Sequence, residues 1–541
     1  MLPPGKRGFD RSGPGEARSS LERQITAITI VVFAVVLLRH AWLSDDAYIT
    51  FRSVRNFIQG HGLRWNITER VQAFTHPLWF FLLSLAQIVG RKIYGASLGL
   101  SFVCSLILLF TLRARLSMRS FLLALVCLIS SKSFVDYSWS GLENPATHVL
   151  YALFFLRAIR APQTDARNHE RDQERALFSL TLLAGLLATN RLDNLLFCLP
   201  VLIERAYSFR RHPRILARAA LGFLPLALWE LFALIYYGFP YPNTAYAKLT
   251  TGIPGAQLWQ QGLMYFVSEL FFDPVAVILI VAAIAVVLGA RIRRLFLPLV
   301  GVLLYLLYIV RIGGDFMAGR FFSTPVLAAT LILVSALSAI VDSTPIAVSF
   351  LVASATLGLG FVVTPHATLA PETTACRPLP PVEVEWDVRG VADERSYNCR
   401  HTGLIQVIRE GTLPADDRVA RGRSLAVGHA TALGMIGVSG YFAPEGAVIV
   451  DTHGLSDAFI AHLPMPDGAG WRIGHFARPI PDGYLATLDN EKSNGPVVIR
   501  KPSWAELYKH LRPVVAGPIW SFDRFKEIVR FNLGSYAGLA R

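Results

Sequence analysis

Apolar stretches of bilayer-crossing length recur along the first two-thirds of the chain, separated by short polar connections. A crossing helix needs about 17–25 mostly apolar residues. The first run spans Ile25 to about Leu43, and others fall near 96–112, 120–136, 145–158, 176–190, 194–206, 219–237, 272–289, 295–312, 323–341 and 346–363. Residues 176–206 would also fit one long helix. The pattern predicts a polytopic α-helical membrane protein of about eleven transmembrane helices. Near Thr364 it changes to proline-rich stretches, glycine turns, short alternating segments such as Gly446–Val450 and a late amphipathic helix at Trp504–Leu511. Three parts are expected: a tail over 1–24, a membrane domain over 25–363, and a soluble mixed α/β domain over 364–541.

Composition agrees. Of 541 residues, 53% are hydrophobic and 17% charged, against roughly 25% charged in an ordinary soluble domain. Disorder is excluded, and a soluble dehydrogenase or kinase nearly so. The net charge of +14 would suit nucleic acid, but the basic residues cluster between apolar runs, where they orient helices in a bilayer. A lipid bilayer, and no nucleic acid, is the expected partner. Lys6, Arg7, Arg11, Arg18 and Arg23 precede the first run, and no small-residue cleavage site follows it. An uncleaved first span with a cytoplasmic N-terminus is predicted. Counting on, the basic connections Arg113–Arg119, Arg157–Arg175, Glu204–Arg218 and Arg291–Arg294 all fall in the cytoplasm. His76–Gly90 is short, and as a full crossing it would invert everything after it, so a re-entrant or interfacial segment is predicted there. The 364–541 domain then lies outside an inner (plasma) membrane, in the periplasm. Cys104, Cys127 and Cys198 sit in apolar runs as packing residues. Cys376 and Cys399, with 22 residues between them, match no common zinc spacing and predict a disulfide in an oxidising compartment.

This topology gathers the unusual polar sequence on the outer face. The first outer loop, 44–75, opens on the carboxylate pair Asp45–Asp46 and continues as an amphipathic helix. Other outer segments hold Glu143 (SGLEN), Arg191 and Asp193 (NRLDN), Asn243 and Lys248 (PNTAYAK), and Arg311, Asp315 and Arg320 (RIGGDFMAGR). The C-terminal domain adds DTHGLSD at 451–457 and a segment from Gly474 to Tyr484 containing His475. Plainer roles exist for each. One Asp would serve as a helix cap, Arg311 and Arg320 as headgroup anchors, Asp315 as a turn residue, Glu143 as an N-terminal helix acid, and Arg191 with Asp193 as an ion pair at the membrane edge. Convergence favours chemistry: acids in loop one and cations in later loops suit a lipid-linked sugar donor with a polyprenyl-phosphate leaving group. No HExxH, Walker loop, GxGxxG or CxxC occurs, and neither metal nor cofactor is expected.

One helix followed by an acidic pair resembles the GT-C superfamily of membrane glycosyltransferases. The run from Asp45 to Trp79, with SGLEN, PNTAYAK, GGDFMAGRF, DTHGLSD and the 474–484 segment, is similar to the mycobacterial terminal arabinofuranosyltransferase group and its bacterial relatives. The resemblance implies transfer of a sugar, arabinofuranose in that group, from a polyprenyl-phosphate donor to a cell-envelope glycan acceptor. It implies a catalytic acid at Asp45 or Asp46, with Asp45 favoured. Lys248, Arg311 and Arg320 become candidates for the donor phosphate. Glu143, Asp315, Asn243, Trp65 and His475 become candidates for the sugar and acceptor side. His475 would equally serve to hold the outer domain in place. Competing readings are the same scaffold glycosylating lipopolysaccharide or protein, and a transporter or flippase of lipid-linked glycans. A transporter should show related halves and mid-span charges, and the sequence shows neither.

Overall fold

The computed structural model describes residues 14–159, 169–249, 251–341, 390–411, 413, 416–466, 470–491 and 495–540. The apolar run at 346–363, Cys376 and most of the N-terminal tail lie outside the described residues.

The first part is helical: α1 (Pro14–His40), α2 (Asp45–Ile58), α3 (Pro77–Gly90), α4 (Ile93–Arg115), α5 (Met118–Ser130), α6 (Lys132–Tyr137), α7 (Asn144–Ala158), α8 (His169–Asn190), α9 (Leu195–Ser208), α10 (Pro213–Ala220), α11 (Leu224–Tyr236), α12 (Asn243–Leu249), α13 (Gly255–Phe272), α14 (Pro274–Gly289), α15 (Arg293–Ile312) and α16 (Ser323–Val341). Among the described residues, five helical segments are long and apolar enough to cross a membrane: Ser20–His40, Ile93–Arg115, Pro213–Tyr236, Arg293–Ile312 and Arg320–Ser338. The pair α13–α14, bent by 110°, would make a sixth. This count is smaller than the number of apolar runs because several runs fold into shorter helices. The 120–136 run breaks at Ser131, whose hydroxyl accepts from Phe134 N and starts α6. Residues 176–206 form two helices, interrupted at Arg191–Asn194.

The ends of these helices meet in one layer. Past the end of α1, Trp42 N and Ser44 N donate to Trp139 O and Ser140 O, just before α7. The end of α8 reaches the same place, since Asn190 Nδ2 donates to Glu143 O at 3.1 Å. The basic segments 113–119, 204–218 and 291–294 occupy the opposite ends of the long helices. Helix α3 begins beside this layer, with His76 Nδ1 3.4 Å from Glu143 Oε2. It ends at Gly90, against Ala96 of α4. Two residues before Ala96, Tyr94 Oη donates to Thr402 O, and Thr402 Oγ1 donates to Leu43 O. Both ends of α3 therefore touch elements of the same layer.

The C-terminal part contributes α17 (Glu394–Thr402), α18 (Leu404–Glu410), α19 (Asp417–Arg423), β1 (Ala430–Leu433), α20 (Gly437–Phe442), β2 (Val448–Asp451), α21 (Ala458–His462), α22 (Tyr484–Glu491), α23 (Pro502–Ala516) and α24 (Phe522–Asn532). Strands β1 and β2 pair in parallel, Ala430 opposite Val448, and α20 lies in their crossover, as a parallel connection requires. Val391, Cys399, Val438, Ile473 and Phe476 belong to the same hydrophobic core as Trp42, Phe51 and Trp79. Arg52 of α2 fastens the two parts: its guanidinium is buried and donates to Trp65 O, Gly440 O and Ala447 O at 2.7–2.8 Å. Cys399 is buried and disulfide-bonded, whereas Cys104 and Cys198 are free and buried, and Cys127 is buried in the same apolar core.

Candidate active site

A cavity of about 270 Å³ opens where α2, the Ala73–His76 segment, the α8–α9 break, α12, the end of α15 and the Gly474 segment come together. Asp46, Arg191, Asp193, Lys248, Asp315 and Arg320 form its charged wall, with His76 beside them; Phe74, Tyr308, Ile312 and Phe321 are among its apolar walls. The turn after α15 depends on glycine. Gly314 has φ +78°, and a Cβ there would come within 2.6 Å of the Tyr265 side chain. The chain can then reverse and place Asp315 and Arg320 side by side. This turn is also stitched to the C-terminal part, with Ala318 N donating to Ala392 O and Ala392 N to Phe316 O.

Arg320 is the hub. Its Nη2 lies 3.2 Å from Glu143 Oε1, and its Nη1 lies 3.6 Å from Asp315 Oδ2 and 3.8 Å from Asp46 Oδ2. Glu143 is completely buried and also pairs with Arg191 at 2.9 Å. Arg191 in turn forks onto both oxygens of Asp193. Burial alone would raise the Glu143 carboxyl, but Arg320, His76 and Arg191 together hold it well below the usual carboxylate range. It is thus a fixed anion that orients two arginines from behind the cavity wall. Among the described residues, the buried Asp315 Oδ2 and Arg320 Nε have no hydrogen-bond partner. The ammonium of Lys248, at the end of α12, makes no hydrogen bond or ion pair among the described residues, and Lys248 lines the cavity.

The adjacent aspartates diverge. Asp46 lines the cavity, and burial raises its carboxyl to about 6 against the pull of Arg320 and Lys248. Asp45 points at the C-terminal part. Its carboxylate accepts from Gly437 N (3.1 Å) and Val438 N (3.0 Å) and pairs with Arg418 at 3.3 Å. Gly437 is required for that approach, since a Cβ would fall 2.0 Å from Asp45 O. Of the two carboxylates expected to hold the catalytic acid, with Asp45 favoured, it is Asp46 that lines the cavity.

Four other expected site residues lie elsewhere. Arg311 is exposed on the last turn of α15 and is not part of the cavity wall. Trp65 is fully buried beneath Arg52, whose Cζ sits 4.3 Å above its ring, and it serves the core around Ile436 and Ile449. Asn243 is buried, with its amide donating to Gly454 O and Asp457 O. It pins α12 to the C-terminal part. His475 rests edge-on against Phe316 at 4.4 Å, beside cavity residues Gly474 and Phe476, and burial lowers it to about 4. Sequence reasoning missed His76, read only as the start of an apolar run; it read Arg191 with Asp193 as an ion pair, which the structure shows, but did not place the two on the cavity wall. A histidine and an arginine at membrane depth were the available signal.

No family model matches the chain. It is similar to the terminal beta-(1->2)-arabinofuranosyltransferase of Mycobacterium tuberculosis (29% identity over 350 residues, 57% of this chain and 54% of the relative). It is also similar to the protein of the same name from Corynebacterium glutamicum (26% over 351 residues, 57% and 50%). The matches thus span about half the length of the curated relatives. Both agree with the resemblance carried by the motifs. Among solved structures, ArnT from Cupriavidus metallidurans bound to undecaprenyl phosphate aligns with 80% of this chain and 86% of its own (11% identity, TM-score 0.44).

Proposed function

We propose that this chain transfers a sugar, arabinofuranose, from a polyprenyl-phosphate donor to a cell-envelope glycan on the outer side of the inner membrane. The observation that carries the reading is the cavity in which the Asp46 carboxylate, on the first outer helix, faces the cations Arg320 and Lys248. The acceptor hydroxyl oxygen bonds to the anomeric carbon while the bond from that carbon to the donor phosphate oxygen breaks. Asp46 takes the hydroxyl proton. The polyprenyl phosphate departs with the bonding electron pair, and its charge is held by Arg320 and Lys248. Asp315 Oδ2 accepts from a sugar hydroxyl. Glu143 and Arg191 act as positioning residues, fixing the guanidinium of Arg320.

In this reading the N-terminus is cytoplasmic, the C-terminal part is periplasmic, and α3 dips into the outer half of the bilayer and returns. The common layer touched by both ends of α3 supports that placement, and the disulfide state of Cys399 supports an oxidising side, with Cys376 as its partner. The identity to the two arabinofuranosyltransferases supports the sugar. The test is transfer by detergent-purified protein offered several polyprenyl-phosphate sugars, with linkage analysis of the product. Arabinofuranose should move to an arabinan acceptor. No transfer from any polyprenyl-phosphate sugar would end the reading.

A further inference from the structure

Helix α24 turns a row of apolar side chains outward. Phe522, Val529 and Leu533, with Trp520 just ahead of the helix, are between 55 and 82% exposed. Positions 522, 526, 529 and 533 fall on one stripe at helical spacing, and the stripe includes the exposed Lys526. The opposite side buries Arg524 and Ile528. That buried side is bound to the end of a membrane span. Arg524 Nη1 and Nη2 donate to Ile235 O (2.8 Å) and Tyr236 O (2.9 Å), and Asn532 Nδ2 donates to Gly238 O (2.9 Å). Ile235 and Tyr236 close the span Pro213–Tyr236, whose outer row of Leu221, Leu224, Leu228 and Leu231 is about half exposed, as a lipid-facing row is.

We propose that this stripe is a lipid-docking surface: Trp520, Phe522, Val529 and Leu533 enter the headgroup boundary of the outer leaflet, and Lys526 reaches its phosphates. The occupant is lipid because α24 is fixed to the last two residues of a span whose lipid-facing row leads up to it. The composition also fits, with aromatic and aliphatic side chains along a basic amphipathic helix. The inference is independent of the reaction. It assigns the last helix the task of seating the C-terminal part on the bilayer beside the cavity.

The test uses the full chain in phosphatidylethanolamine–phosphatidylglycerol nanodiscs containing a phospholipid with a photoactivatable diazirine near the headgroup, followed by peptide mass spectrometry. Lipid adducts are expected on 520–533 as well as on 221–235. The triple variant Phe522→Ser, Val529→Ser, Leu533→Ser should lose the first set, keep the second and melt as the wild type does. Should the triple variant fail to fold, Phe522→Ser alone carries the same readout, because its side chain is the most exposed of the set. Adducts on 221–235 with none on 520–533 in the wild type would overturn the proposal. Crosslinks between two copies of the chain through 520–533 would also overturn it, by giving the stripe to protein.

Discussion

Adjacent residues on a helix point about 100° apart, and that rotation decides the fate of Asp45 and Asp46. Asp46 turns into the cavity toward Arg320, while Asp45 meets the N–H groups that open α20. The two should therefore fail differently. Asp46→Asn removes the proposed base and should lower turnover by about 10²–10⁴-fold while leaving the melting temperature and donor affinity near normal, measured by transfer assay and donor binding. Asp45→Asn weakens the pairing of Arg418 and of two N–H groups, so it should cost about 1–3 kcal/mol of stability, read as a lowered melting temperature with residual transfer. The Asp46 carboxyl, raised to about 6 by burial, also sets a pH dependence. In the proposed reaction its working form is the carboxylate, so kcat/KM should be flat above that value. Below it the carboxylate is protonated, and kcat/KM should fall about tenfold per pH unit. An Asp46→Asn variant with residual activity should lose this limb.

Individual helices show what the sequence could and could not declare. The motifs were legible because carboxylates, arginines and double glycines at membrane depth have few uses, and Glu143, Lys248, Asp315 and Arg320 do converge. Side-chain direction was not legible. Arg311 and Arg320 share one ten-residue motif, yet the last turn of α15 sends Arg311 outward and the glycine turn brings Arg320 back over Glu143. Trp65 and Asn243 are polar-capable residues consumed by packing, Trp65 under Arg52 and Asn243 across the Asp451–Asp457 loop. The same wiring says how Lys248 should behave. Helix α12 is clamped at its start by Asn243 and near its end by Arg478, whose Nη2 donates to Ala247 O at 2.8 Å. Lys248→Ala deletes only the half-buried charge at the cavity. Loss of one charge-assisted contact worth about 1.5–3 kcal/mol should raise donor KM tenfold or more with a smaller change in kcat. Arg320→Ala is a less clean probe, because it leaves Glu143 buried with one guanidinium fewer. Loss of a buried partner costs about 3–5 kcal/mol, so its melting temperature should drop along with donor affinity.

At the scale of the whole molecule, the cavity exists only because two parts of the chain share a core. Loop one (44–75), the GGDFMAGR turn (313–320) and the 473–476 segment lie far apart in the sequence, and no local pattern announces that they touch. The sequence could still predict that they share one side, because among the described residues the basic segments 113–119, 204–218 and 291–294 fall at the far ends of the long helices. The structure sets Asp46 3.8 Å from Arg320, which requires both to occupy the same compartment. The long helices are 19–24 residues, about 28–36 Å at 1.5 Å per residue, enough to hold the basic segments on the other side of a bilayer. Single cysteines placed at exposed positions should report this directly. In intact cells, a membrane-impermeant maleimide should label Arg500→Cys in the C-terminal part, and should label Arg211→Cys and Arg293→Cys only after permeabilisation. Labelling of Arg211→Cys from outside, with Arg500→Cys protected, would turn the molecule over and put the cavity on the cytoplasmic face. Labelling of both from one side would mean that the helices between them do not cross, and the cavity would lose its place at a membrane surface.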